Sequence, residues 1–170
     1  MKYVLLIMLA GVAILIGYIF SKKYKTRANF FQSLVLLCQK FDVEINYSRE
    51  RVKNIFDNLD EKHKHNLYGI DKNYIAFLNK ENSLEKEDLF KNINFLKDDE
   101  KNIIYMFFKI LGRSDVDSQS KEIKNYQTRF ESISKSALTD NKKYGGLSIK
   151  LGIVAGLLLI VIFIWGETWK

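Results

Sequence analysis

The sequence has no proline, a single cysteine, two histidines and few glycines, and five of its nine glycines lie beyond residue 144. Without proline, and with glycine gathered at one end, most of the chain lacks the strongest helix breakers and favours long helices. The lone Cys38 excludes an intrachain disulfide. It sits in an apolar helical pattern and reads as a small core residue rather than a reactive thiol. His63 and His65 are separated by one residue, a spacing that points them in different directions on a helix, and no cysteine or carboxylate cluster completes a ligand set. The polar stretch around them is expected to be a solvated loop. There is also no glycine-rich phosphate loop, no H-E-x-x-H, no nucleophile elbow and no C-x-x-C. Asp115 and Asp117 are the pair that could be offered for acid/base chemistry, but their place beside a turn is explained by helix capping. No catalytic residue, cofactor or metal site is expected.

Lys and Arg number 27 against 20 Asp and Glu. The cations are spread out rather than interleaved with aromatics, so no nucleic-acid partner is expected. Their densest group, Lys22, Lys23, Lys25 and Arg27, directly follows an apolar segment, where a topology signal or contact with anionic lipid explains it more simply.

That segment, Tyr3 to Phe20, carries no charged side chain. About 18 residues at 1.5 Å per residue give roughly 27 Å, close to the hydrocarbon thickness of a bilayer. A cleaved signal peptide is the rival reading, but no A-x-A-like site follows and the lysine-rich flank disfavours export. The second apolar run, Leu151 to Trp165, is extended towards Leu147 if Lys150 snorkels, with Trp165 and Trp169 at the far interface. The expected organisation is a transmembrane helix over 1–20, a helical domain over 21–146 and a second transmembrane helix over 147–166. Cations flank the middle domain on both sides (Lys142, Lys143 and Lys150 at its end), whereas the outer ends carry only Lys2 and Lys170. The positive-inside rule therefore puts the domain in the cytoplasm and both termini outside. Gly152 and Gly156 form a G-x-x-x-G pair, and Ala13 and Gly17 a small-x-x-x-small pair, spacings that let helix backbones approach closely in lipid. Neither span carries an ionisable residue in its interior, which argues against an ion pathway built by this chain alone.

Between the spans the pattern is all-α and predicts an antiparallel bundle of about five to six helices. Phe30, Leu34, Leu37, Phe41 and Ile45, with Cys38 beside them, form one apolar face, and no glycine or proline separates this helix from the first span. Val52, Ile55, Phe56 and Leu59 suggest a short helix, followed by the expected loop to Tyr68 and Gly69. Tyr74, Ile75 and Leu78 suggest another. Leu89, Ile93 and Leu96 suggest a further one, opening on the acidic Glu85, Glu87 and Asp88. Ile103, Ile104, Phe107, Phe108 and Leu111 give a broad face ending at Gly112, a plausible left-handed cap, and Ser114 with Asp117 fits a variant capping box opening the last helix. There Ile123, Tyr126, Phe130, Ile133 and Ala137 recur at three and four, so a helical hairpin turns at Gly112 to Asp115.

The run Leu111-Gly112-Arg113-Ser114-Asp115, then Gln119, Ile123 and Ala137, then Leu151-Gly152-x-x-x-Gly156, resembles in order and spacing the stage III sporulation protein AB family, as does Glu44-Ile45-x-Tyr47 at the end of the first cytoplasmic helix. The resemblance covers essentially the whole chain and is densest from Leu111 onward. It departs at the centre, where the family usually shows an acidic-Ala-Trp sequence and this chain has Lys86-Glu87-Asp88-Leu89-Phe90. The resemblance implies a component of the membrane complex joining mother cell and forespore in endospore formers, with a domain similar to the cytoplasmic domain of the type II secretion F protein. It further implies a cytoplasmic secretion-type ATPase and other stage III sporulation membrane proteins as partners. The expected role is a non-catalytic platform in the mother-cell membrane facing the forespore. Self-association is left open, and a stand-alone membrane-anchored sensor or receptor is the alternative. Glu44 and Tyr47 read equally as a contact surface or as a helix-end tether.

Overall fold

The computed structural model describes residues 2–47, 52–78, 85–91, 93–111 and 116–168. Among these there is no strand. The helices are α1 (Lys2–Tyr47), α2 (Val52–Asp57), α3 (Glu61–Asn66), α4 (Ile70–Leu78), α5 (Lys86–Leu89), α6 (Asp98–Ile110), α7 (Val116–Asp140), a π-helical segment (Asn141–Gly145) and α8 (Gly146–Thr168). They form two compact units: Met1–Thr26 with Ser136–Lys170, and Arg27–Lys135.

In the first unit, the apolar run of α1 up to Phe20 and that of α8 from Leu151 turn large hydrophobic side chains outward. Val4, Ile7, Met8, Leu15 and Ile19 of α1, and Leu151, Leu157, Val161, Ile162 and Trp165 of α8, all project outward. A helix that is hydrophobic all round belongs in a protein core or a bilayer. Both helices are long and apolar enough to cross a membrane, and only a small part of either apolar stretch is covered by protein.

The second unit is a helical bundle built on the predicted stripe. Phe30, Leu34, Leu37, Cys38, Phe41 and Ile45 are all buried. Ring contacts give the directions of the long helices. Phe31 meets Phe130 at 6.3 Å while Asp42 meets Ser120, so α1 and α7 run antiparallel. Arg27 meets Glu100 while Phe41 meets Phe107 at 6.3 Å, so α1 and α6 run the same way. The core is a connected set of aromatic rings: Phe107 packs on Phe130 at 5.4 Å, Phe41 on Phe56 at 5.5 Å, and Tyr74 on Phe108 at 4.8 Å. Such pairs favour the tilted and edge-on geometries seen here and add about 0.5–1.5 kcal/mol each beyond area burial.

Two segments differ from the sequence expectation. The stretch with His63 and His65 is not a loop but the short helix α3, whose first turn is tied by His63 N–H to the Asp60 carbonyl at 2.9 Å. It stops because Tyr68 (φ 54°) and Gly69 (φ 85°) are both left-handed. Glycine takes that conformation freely, and Tyr68 is held there by packing on Phe95 at 5.0 Å. Conversely, Leu89, Ile93 and Leu96 are all buried but do not share a helix. The side-chain amide of Asn73 donates to the Leu89 carbonyl at 3.1 Å, Ile93 N–H closes a turn on the Phe90 carbonyl at 2.9 Å, and the chain bends at Phe95 and Leu96 before entering α6 through the extended Lys97. The expected hairpin turn at Gly112 to Asp115 lies outside the described residues.

Arg27 also departs from expectation. Unlike Lys22, Lys23 and Lys25, which are exposed, it is buried and ion-paired with the equally buried Glu100. Its Nε and Nη2 donate to Glu100 Oε1 at 2.9 and 2.5 Å, and Glu100 Oε2 accepts the Lys97 N–H at 2.9 Å. Glu100 thus caps the start of α6 in the manner of the third residue of a capping box. Arg27→Met should destabilise the unit by about 3–5 kcal/mol, because Glu100 is left buried and uncompensated. The double variant Arg27→Met/Glu100→Met should recover much of that loss. Denaturant unfolding in detergent, followed by helical signal, checks this; additive losses would show that the two side chains do not act as a pair.

Candidate interaction site

The first unit holds its two apolar helices together through small residues. An ideal Cβ on Gly17 would lie 2.6 Å from the Ser148 carbonyl oxygen and 3.2 Å from Gly152 Cα. One on Gly152 would lie 2.9 Å from the Ala13 carbonyl oxygen and 3.2 Å from Gly17 Cα, and one on Gly156 would lie 3.2 Å from the Ala10 carbonyl oxygen. The numbering rises on α1 as it falls on α8, so the helices are antiparallel at backbone contact. Ala13, Gly17, Gly152 and Gly156 therefore face one another within the chain. Ala10 and Ser148, not singled out from sequence, extend the same seam by one turn each way. Gly11, by contrast, meets nothing within 4 Å.

The second unit carries a groove of about 350 Å³. Gln32, Val35 and Leu36 of α1 form one wall, Glu131, Ser134 and Lys135 of α7 the other, and His63 of α3 stands at its edge. His63 Nδ1 lies 3.0 Å from Ser33 Oγ, and the Asn66 amide donates to that oxygen at 3.3 Å, so this histidine is fixed against α1. His65 instead packs on Tyr68 at 6.1 Å. The two histidines thus serve different neighbours. Under this region Cys38 is buried; its burial, helped by the nearby Glu131 carboxylate, pushes the thiol well above the ordinary range and keeps it a protonated, unreactive core group. Farther along, Ser120 Oγ donates to Asp42 Oδ1 at 2.5 Å and Lys124 lies 3.5 Å from Asp42 Oδ2, a second polar tie between α1 and α7.

Of the residues singled out from sequence, Gln119 is buried on α7 beside Ser120. Glu44 is half-buried near the end of α1, and Tyr47 is the last residue of that helix. Gly112, Ser114 and Asp115 lie outside the described residues, and Asp117 is placed only as backbone in the first turn of α7. The Arg27–Glu100, Ser33–His63 and Asp42–Ser120 pairs were not legible in advance. Only Glu100 left a local trace, as the third acidic residue opening α6.

Two long apolar helices at the ends of the chain and an all-helical middle follow the sequence pattern, whereas the antiparallel contact of the two end helices with each other is supplied by the structure. The family model for stage III sporulation protein AB matches residues 2–164, nearly the whole chain. The chain belongs to that family. No curated protein and no solved structure matches it. The match runs through both apolar helices as well as the bundle, so membership of this sporulation protein family rests on nearly the full chain rather than on one segment.

The seam predicts a graded response to added methyl groups. Gly17→Ala and Gly152→Ala place a Cβ against backbone and should cost about 1–3 kcal/mol through overpacking. Gly156→Ala needs only a small shift and should cost less, and Gly11→Ala should be neutral. Thermal unfolding of the four variants in one detergent checks the order; a Gly11 variant as damaging as Gly152→Ala would contradict it.

Proposed function

We propose that this sporulation protein is a non-catalytic platform in a secretion-like channel complex between mother cell and forespore. In this reading α1 and α8 cross the mother-cell membrane that faces the forespore, and the chain between the spans, 21–146, is a cytoplasmic domain. That domain docks a cytoplasmic secretion-type ATPase and binds other stage III sporulation membrane proteins. The observation that carries the reading is the outward-facing apolar surface of both terminal helices, which water would not tolerate and lipid solvates. The exposed lysines at the inner ends of these helices support the cytoplasmic placement, even with Arg27 withdrawn into the bundle. The groove between α1 and α7, with Leu36 exposed on its wall, offers a surface where an apolar anchor and a charged rim coincide.

Deletion should stop endospore development after engulfment while vegetative growth continues. Leu36→Glu should leave the protein stable and in the membrane but reduce co-purification of the ATPase at least tenfold. Normal sporulation of the deletion strain would sink the platform reading, and unchanged co-purification would remove the groove from it.

Topology is tested separately. In a Cys38→Ala background, Ser118→Cys on the exposed side of α7 should react with a membrane-impermeant maleimide only after protoplasts are permeabilised. Labelling of intact protoplasts would invert the proposed orientation.

A further inference from the structure

The inner end of the first unit concentrates charge of one sign. Lys22, Lys23 and Lys25 lie on the α1 turn that follows the apolar run, and Lys142 and Lys143 lie in the π-helical segment; all five are exposed. The two stretches are neighbours. The Tyr24 and Tyr144 rings are 5.7 Å apart, and a Cβ on Gly145 would lie 3.8 Å from Ser21 Oγ. Each lysine is therefore within one helical turn of a residue that touches the other helix. No ion pair engages these five lysines among the described residues. Asp140 is the only acidic residue in the stretches 1–26 and 136–166, and it already has an interaction of its own.

The local backbone sets this arrangement. Four residues advance an α-helix by roughly 40° past a full circle, which would carry Asn141 and Gly145 progressively off the face marked by Ala137. The wider π turn offsets that drift, and Gly145 stays buried. Tyr144 is thereby placed on Tyr24, with Lys143 Nζ 5.0 Å from the Tyr144 ring centre and Ser148 Oγ donating to the Tyr144 carbonyl at 2.8 Å. A π bulge of this kind is a frequent mark of a functional position. Paired tyrosines beside lysines, directly below an apolar helix pair, match the headgroup layer of a bilayer in both polarity and charge.

We propose that Lys22, Lys23, Lys25, Lys142 and Lys143, framed by the Tyr24–Tyr144 pair, bind the phosphates of an anionic lipid headgroup, with a diphosphate lipid of the cardiolipin type preferred over a monophosphate one. The preference follows from two cationic stretches on neighbouring helices, each able to neutralise one phosphate. The inference rests on the membrane reading of α1 and α8.

The test reconstitutes the full chain in nanodiscs of phosphatidylcholine doped with charge-matched cardiolipin or phosphatidylglycerol, and measures by mass spectrometry the lipid retained on the protein after detergent exchange. Cardiolipin should be enriched over phosphatidylglycerol. A surface lysine contributes about fivefold to association with anionic lipid, so Lys142→Gln/Lys143→Gln should lower the enrichment at least tenfold. Lys142→Arg/Lys143→Arg, which keeps the charge, should retain it, and Lys62→Gln on α3 should have no effect. Equal retention of neutral and anionic lipid, or an unaffected glutamine variant, overturns the proposal. So does full displacement of cardiolipin by soluble pyrophosphate, which would mark a site for a soluble phosphate compound. Loss of the protein itself from membranes on carbonate extraction would instead defeat the membrane reading.

Discussion

Arg27 and Glu100 form the contact on which the bundle's organisation depends. A guanidinium and a carboxylate, both almost fully removed from water, are 73 residues apart and share one oxygen at 2.5–2.9 Å. Removing two charges from water costs several kcal/mol per ion, and their attraction offsets this only when the remaining lone pairs are also satisfied. Here the second carboxylate oxygen takes the Lys97 N–H, so the same side chain that neutralises Arg27 also starts α6. The pair fixes the register of α1 against α6, and from that register follow the contacts of Phe41 with Phe107 and of Phe107 with Phe130.

The two units solve opposite solvation problems. In the bundle, apolar side chains point inward and specific polar ties join the helices, among them Ser33 with His63, Asp42 with Ser120, and Tyr74 hydroxyl to the Leu111 carbonyl at 3.4 Å. In the helix pair, apolar side chains point outward, and in the proposed membrane setting burial cannot drive association, because the solvent is as apolar as leucine. Close backbone approach takes over, and glycine is required where a Cβ would meet a carbonyl oxygen at 2.6–2.9 Å. The lysines beyond the seam then complete a surface graded from apolar to cationic over a single helical turn.

The reactive side-chain types of the bundle are taken up by its packing. Cys38, the one nucleophile type present as a single copy, is buried with its thiol held protonated, and His63 is engaged with Ser33. What faces outward in the bundle is a groove of about 350 Å³ with leucine and valine on one wall and Glu131 and Lys135 on the other. In the proposed platform role, that groove is the surface offered to a partner.

Sequence alone determined the elements whose environment is uniform. A run without charge between Tyr3 and Phe20, and a helical stripe from Phe30 to Ile45, each have one way to satisfy the hydrophobic effect, so periodicity is enough to read them. The Leu111–Gly156 pattern, with Glu44-Ile45-x-Tyr47, likewise sufficed to place the chain in its family. Tertiary structure decided everything that depends on a distant partner. Leu89, Ile93 and Leu96 have helical spacing, yet Asn73 takes the Leu89 carbonyl and the helix ends. His63 looked solvated, yet Ser33, 30 residues earlier, draws its segment into a helix against α1. Arg27 was indistinguishable from the lysines before it until Glu100 supplied a counter-charge, because local sequence records a residue's charge but not the solvent that remains around it.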